Sequence, residues 1–96
     1  MITAIVLINT AQGQTQEVAQ ALIDLPGVTE AYSVAGPYDL VAMARVRQHD
    51  DLAELVTGRI QKIPGISATN TLIAFRAYSQ HDLEAMFDIG NEEPAR

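Results

Sequence analysis

The sequence predicts an α+β domain, and the strongest evidence is an internal repeat. A shift of 38 residues (63 − 25) places Leu-Pro-Gly-Val at residues 25–28 on Ile-Pro-Gly-Ile at residues 63–66. The same shift places the apolar run at residues 2–5 on that at residues 40–43. The chain therefore reads as two β-α-β units joined at residues 36–39. Two such units in tandem predict a ferredoxin-like β-α-β-β-α-β order, in which a four-stranded antiparallel sheet carries both helices on one face.

The first unit begins with a strand and a helix. Residues 2–8 are apolar except for one threonine, a pattern typical of a central strand. After a polar turn, Val18, Leu22 and Leu25 recur at helical spacing and predict the first helix. A Pro-Gly pair ends this helix, and the β-branched and aromatic run at residues 28–34 predicts the second strand.

The second unit repeats this pattern. Residues 40–46 predict the third strand, and the second helix opens at His49 with a capping box between Asp51 and Glu54. The apolar face of this helix consists of Leu52, Leu55, Val56, Ile60 and Ile63. A second Pro-Gly pair ends the helix, and residues 66–75 predict the fourth strand.

A last amphipathic stretch follows the repeat. Leu83, Met86 and Phe87 lie on one side of a predicted helix over residues 79–89, and Gly90 is placed to end it. We therefore predict a domain over residues 1–78, a C-terminal helix over residues 79–90 and a flexible tail over residues 91–96.

Composition limits the classes of function. Twelve acidic residues against six basic ones give a formal charge of −6, and the first Lys or Arg is Arg45. Because nucleic-acid binding relies on Lys and Arg that neutralise phosphates, we expect no direct nucleic-acid binding. Cysteine is absent, which suits a reducing cytoplasm. The apolar N-terminal run is too short for a signal core or a membrane span, so we expect a cytoplasmic protein with no membrane contact.

The first strand predicts self-association, because both of its alternating sets of side chains are apolar. Two helices cover only one face of a four-stranded sheet, so the other face would expose more apolar surface than soluble monomers tolerate. We predict a homodimer in which the uncovered faces of two sheets pack together.

The residues that could support catalysis are few and scattered. His49 and His81 stand at predicted helix starts, where polar caps are common, and Gly13 is alone in its loop, so no metal, cofactor or phosphate site is predicted. No carboxylate pair is placed for acid-base chemistry. Two interpretations stay open for Arg45, Arg47 and Arg76: they pair with carboxylates at a subunit contact, or they are surface charges.

The central turn and the fourth strand carry the remaining polar groups. Gly36 tolerates a positive φ, Pro37 presets a turn, and the Asp39 side chain can bond nearby backbone amides, so each residue has a structural reason. Thr69 and Thr71 alternate on the fourth strand and share a face, where threonine is a good strand former.

These motifs together resemble the effector-binding domain of the Lrp/AsnC, or feast/famine, transcriptional regulators. The resemblance covers residues 2–77 and rests on the two Pro-Gly motifs, the turn Ala-Gly-Pro-Tyr-Asp-Leu at residues 35–40 and Thr-Asn-Thr at residues 69–71. It implies the same fold, a dimer through the sheets, and an amino acid or similar small effector bound between dimers. The effector-binding residues that it implies are Gly36, Pro37, Tyr38, Asp39, Thr69 and Thr71.

Family regulators carry a helix-turn-helix domain before this domain, whereas here a strand begins at the second residue. The resemblance therefore implies a stand-alone sensing and assembly module that forms higher oligomers of dimers. Two modes of action stay open for it, co-assembly with a full-length regulator of the same family and buffering of an amino acid. Two alternatives stay open from the residues alone. One is a dimeric ferredoxin-like barrel enzyme, such as a small oxygenase or isomerase, and the other is a purely structural partner of another protein.

Overall fold

A computed structural model describes residues 1–80, so most of the predicted C-terminal helix and the whole predicted tail lie outside the described residues. The strands are β1 (Ile2–Thr10), β2 (Val28–Ser33), β3 (Leu40–Val46) and β4 (Ile66–Ala74). Helix α1 is Thr15–Ile23, and helix α2 begins as an α-helix at His49–Ala53. The strands form one sheet in the order β2-β3-β1-β4, with every neighbouring pair antiparallel. The predicted ferredoxin-like α+β fold is confirmed.

The core lies between one face of the sheet and the helices. Alternate residues of β1 and β3 are fully buried on this face, and they meet apolar side chains of both helical segments. The buried residues are Ala4, Val6, Ile8, Val18, Leu22, Leu40, Ala42, Ala44, Leu52, Leu55, Val56 and Ile60. Since β1 and β3 are the central strands, the repeat gives each β-α-β unit one central strand and one edge strand.

The second helix differs from the prediction in two ways. It continues as a π-helical turn at Glu54–Arg59 and a 3₁₀ turn at Ile60–Lys62. Within it the Thr57 hydroxyl donates to the Ala53 carbonyl at 2.6 Å, a local bond that competes with the regular helical ladder. The predicted capping box between Asp51 and Glu54 is wrong, because the backbone N–H of Gln48 donates to Asp51 Oδ2 at 3.3 Å and the helix is capped one turn earlier.

The two Pro-Gly turns have the same geometry, which explains the repeated motif. Gly27 has φ of 98° and Gly65 has φ of 99°. The carbonyl of Gly27 accepts the Arg45 N–H at 2.8 Å, and that of Gly65 accepts the Ala11 N–H at 2.7 Å. Each turn thus attaches the start of an edge strand to the end of its central neighbour.

We expect Gly65→Ala to destabilise the domain by about 1–3 kcal/mol more than Gly13→Ala. Both glycines have a positive φ, so alanine pays a similar backbone cost at each. A Cβ at Gly65 would lie 3.0 Å from Val18 Cγ2 and 3.1 Å from Gln14 Cβ, whereas a Cβ at Gly13 meets nothing within 4 Å. Chemical denaturation of both variants measures the difference, and equal unfolding free energies would contradict the crowding at Gly65.

Candidate functional site

The turn between β2 and β3 lies at the end of the sheet where β1 finishes. Its backbone is closed by the Val34 N–H, which donates to the Asp39 carbonyl at 3.1 Å. The Asp39 N–H donates to the Ile8 carbonyl at 2.9 Å and so extends the β3 ladder by one bond. Gly36 has φ of 129°, a backbone conformation that favours glycine. Gly36 and Pro37 are exposed, and the next two residues are half-buried.

The Asp39 carboxylate bonds to the end of β1 rather than to its own turn. Its Oδ2 atom accepts the Thr10 backbone N–H at 2.8 Å and the Thr10 hydroxyl at 3.3 Å. The Thr10 hydroxyl also lies 2.8 Å from the Thr15 hydroxyl at the start of α1. The sequence predicted a local role for this side chain, and nothing in the sequence pairs Asp39 with a residue 29 positions away.

Tyr38 lies on a different surface from the threonines of β4. Its hydroxyl accepts a hydrogen bond from Asn70 Nδ2 at 3.3 Å. Asn70 pairs with Leu7 of β1, so the Asn70 side chain lies, like that of Leu7, on the face of the sheet that the helices leave uncovered. Asn70 was not predicted as a site residue, because the resemblance pointed to the threonines on either side of it.

Thr69 and Thr71 share a face, as predicted, and it is the helix side of the sheet. They pair with Ile8 and Val6, which are buried there. Thr69 Oγ1 accepts a hydrogen bond from Gln61 Nε2 at 3.2 Å. A groove of about 300 Å³ runs beside this bond along the outer edge of β4, and it is lined by Gln61, Ile66, Ser67, Ala68 and Thr69.

The predicted residues therefore do not close around one cavity within a single chain. Ile8 lies between Leu40 and Thr69 in the sheet register, so the strand position of Asp39 and that of Thr69 are separated by two strand spacings, or about 10 Å. The turn, the groove beside β4 and the end of β1 nevertheless lie at the same end of the sheet. A compact ligand could contact the turn or the groove of one chain, but not both at once.

The uncovered face of the sheet is apolar at its centre. Its side chains come from alternate positions of all four strands: Thr3, Ile5, Leu7, Glu30, Tyr32, Val41, Met43, Arg45, Asn70, Leu72 and Ala74. Tyr32 is 50% exposed and Leu72 is 46% exposed. The Tyr32 hydroxyl donates to the Glu30 carboxylate, and this bond raises the pKa of Tyr32 because the ionised phenolate would lose it. The tyrosine therefore stays neutral on this face.

Arg45 lies on β3, whereas Arg47 and Arg76 follow the ends of β3 and β4, and these arginines divide between two grooves. Arg45 and Arg76 line a groove of about 380 Å³ on the uncovered face, beside Ile5 and Met43. Arg47 lines a groove of about 280 Å³ at the end of the sheet away from Asp39. That groove also holds Asp51, Glu54 and Arg59 beside the apolar Val46 and Leu55.

Within residues 1–80, no three His, Cys, Asp or Glu side chains are grouped so that they could hold a metal ion. His49 is the first residue of α2, and His81 lies outside the described part of the chain. None of the helices in residues 1–80 is long and apolar enough to cross a membrane.

Comparison with known proteins gives one consistent family. Residues 3–83 match the model of the Lrp/AsnC ligand binding domain. The HTH-type transcriptional regulator FL11 of Pyrococcus horikoshii is 30% identical over 77 residues, which cover 80% of this chain and 50% of the relative. The chain thus spans about half the length of the curated relatives it matches.

Solved structures agree in fold. The structure of TTHA0845 from Thermus thermophilus matches with a TM-score of 0.79 and 46% identity, over 83% of this chain and all of that one. AsnC of E. coli matches with a TM-score of 0.75 and 27% identity, over 79% of this chain and 52% of that one. The same domain therefore occurs as an entire solved chain and as half of a longer regulator.

Proposed function

The chain belongs to the Lrp/AsnC family through its ligand-binding domain, and on this premise we propose that this domain is a ligand-sensing and oligomerisation module. We infer that its effector is an amino acid or a related small molecule bound where dimers meet. The observation that carries this proposal is the Asp39 carboxylate, which the turn presents at the end of the sheet with Oδ2 bonded to Thr10. Its other oxygen is an acceptor for a ligand.

The chemistry of an amino acid suits the two polar surfaces at this end of the sheet. Its ammonium needs an acceptor, which Asp39 supplies, and its carboxylate needs donors, which hydroxyl and amide groups such as those of Thr69 and Gln61 supply. Pro37 has no N–H and removes one donor from the turn. Thr71 lies one pair further along the same face of β4.

The distance between these surfaces supports a site shared by subunits. The ammonium and carboxylate of an α-amino acid are attached to one carbon atom, whereas Asp39 and Thr69 of one chain stand about 10 Å apart in the sheet. A contact between dimers that brings the turn of one subunit to the β4 groove of another would place both groups around one ligand. The effector then acts by its differential affinity for assembled and separate dimers.

The uncovered sheet face supports the dimer on which this assembly depends. Its apolar centre is continuous across β1, β3 and β4, and packing it against a second copy would remove that surface from water. In a twofold dimer the same patch serves both partners.

The charge and the relatives support a role in regulation without direct DNA contact. Relatives are named as HTH-type transcriptional regulators, and the chain itself carries a formal charge of −6. We propose that it acts in the cytoplasm by co-assembly with a full-length regulator of the family, and that it is not an enzyme. The ligand would then bind at the end of the sheet, and the partner regulator would associate through the dimer contacts.

The test is binding of amino acids to the intact protein. We expect at least one L-amino acid of a panel of twenty to raise the melting temperature and to change the assembly size in light scattering. Asp39→Ala should weaken the affinity of that amino acid at least tenfold by calorimetry, because the ammonium loses its acceptor. Asp24→Ala serves as the control, since Asp24 caps the far end of α1. A panel with no thermal shift and no change in assembly would contradict the proposal.

A further inference from the structure

The end of β1 contacts the central turn through hydrogen bonds from Thr10 to the Asp39 carboxylate. Thr10 reaches Asp39 with two donors, its backbone N–H at 2.8 Å and its hydroxyl at 3.3 Å, and both end on Oδ2. Two donors on one oxygen fix the plane of the carboxylate. The other oxygen, Oδ1, receives no donor in the hydrogen bonds of the described residues.

The sheet is irregular beside Thr10. Asn9 pairs with Ala68 and Thr10 pairs with Ile66, so Ser67 is an extra residue of β4 opposite the end of β1. Irregularities of this kind are common next to binding sites. The residue of β1 that stands at this irregularity, Thr10, is the one that bonds to Asp39.

The hydroxyls form a chain with a defined direction. An ionised carboxylate only accepts hydrogen bonds, so the Thr10 hydroxyl is the donor in its bond to Asp39 and has no second hydrogen to donate. The Thr15 hydroxyl, 2.8 Å away, must then donate to Thr10. Thr15 is the first residue of α1. The start of this helix therefore positions Thr10, and Thr10 in turn positions the Asp39 carboxylate.

We propose that Thr10 is a positioning residue for the effector and that it aims Asp39 Oδ1 at the ligand ammonium. This deepens the proposed function and rests on it. The remaining oxygen makes the site selective for ligands with an ammonium group, because an N-acylated amino acid lacks the positive charge and keeps only one N–H for Oδ1 to accept. The selectivity comes from Thr10, which takes the second oxygen out of use.

The experiment uses the full chain, the amino acid that binds most tightly in the panel of twenty, and its N-acetyl derivative. Thr10→Val, which removes the hydroxyl at constant shape, should weaken binding of the amino acid about tenfold. Thr10→Ser keeps the hydroxyl and should restore most of the affinity. Thr29→Val is the matched control, because the Thr29 hydroxyl donates to the Met43 carbonyl in the sheet and does not contact the turn. The N-acetyl derivative should fail to bind the wild-type chain.

A double-mutant cycle separates positioning from general destabilisation. In the Asp39→Ala background, Thr10→Val should change the affinity less than twofold, because the carboxylate it orients is absent. Equal losses in both backgrounds, or wild-type affinity in Thr10→Val, would overturn the role of Thr10 and leave the proposed function standing. Tight binding of the N-acetyl derivative would overturn the proposed selectivity. If no amino acid in the panel binds, both the proposed function and this inference fail.

Discussion

Replacing Leu72 with aspartate is expected to turn the proposed dimer into monomers, whereas the same replacement at Ile73 is expected to leave it intact. The two residues are neighbours on β4 and each is 46% exposed. Leu72 pairs with Ile5 on the uncovered face, and Ile73 pairs with Ala4 on the helix side. Exposure, strand and residue size are thus matched, and only the face of the sheet differs.

The magnitude follows from burying two leucines in a twofold interface. A leucine fully taken out of water contributes about 1.5–3 kcal/mol, and Leu72 is 46% exposed in the single chain, so each copy has about half of this to gain and losing two removes about 1.5–3 kcal/mol. This weakens the dimer by a factor of about 10 or more, before the cost of burying the aspartates is counted. Sedimentation velocity over a range of micromolar concentrations measures the change.

Two outcomes would contradict the proposed dimer. A wild-type chain that sediments as a monomer would show that the uncovered face has no partner copy. A dimer that survives Leu72→Asp but dissociates with Ile73→Asp would place the interface on the other side of β4. Circular dichroism of each variant checks that the fold is kept.

The fold was predictable because the same signal occurs twice in the chain. The Pro-Gly pairs end both helices, and the structure gives their glycines φ of 98° and 99° with equivalent carbonyl contacts. The predicted limits of β3 are confirmed, and the other three strands end one or two residues from the predicted limit, because apolar runs do not show where pairing stops. Ile2–Thr10, for example, extends into the polar Asn9 and Thr10.

The π-helical turn could not be read from apolar spacing. Leu52, Leu55 and Ile60 still lie on one buried side, so the pattern fits a regular helix as well as one with a wider turn. The hydroxyl bond from Thr57 to Ala53 within this turn likewise has no counterpart in the apolar pattern. The spacing of apolar residues shows which side of a helix is buried, but it does not show whether one turn contains an extra residue.

The candidate site was predictable only in part, for a reason of topology. The turn at residues 36–39 was identified because its residue types are unusual for a strand. Thr10, Thr15 and Gln61 are ordinary residues in their own segments, and they gain importance only from contacts made across the sheet. The register shift opposite Thr10, where Ser67 is an extra residue of β4, has no marker such as glycine in the sequence. Whether these residues bind an effector stays a prediction.

The second large effect is expected in the core, where Leu22→Ala should lower the unfolding free energy by about 2–5 kcal/mol. Leu22 is fully buried on α1 among the core residues of the sheet. Removing most of its side chain leaves a cavity, because α1 is tied at its start through Thr15 and at its end by the turn that follows. Ile23→Ala is the matched control on the same helix, since Ile23 is 50% exposed, and should cost less than about 1 kcal/mol.

Thermal denaturation at fixed protein concentration measures both variants, because association makes the melting temperature depend on concentration. For a domain of this size about 1 kcal/mol corresponds to roughly 4–8 °C, so Leu22→Ala should melt more than about 8 °C below the wild type. Leu22 lies on the helix side of the sheet, so the folded variant should still dimerise, which separates it from Leu72→Asp. Equal melting temperatures for Leu22→Ala and Ile23→Ala would mean that α1 does not pack on the sheet as described. A folded Leu22→Ala monomer would mean that the two faces of the sheet are not independent.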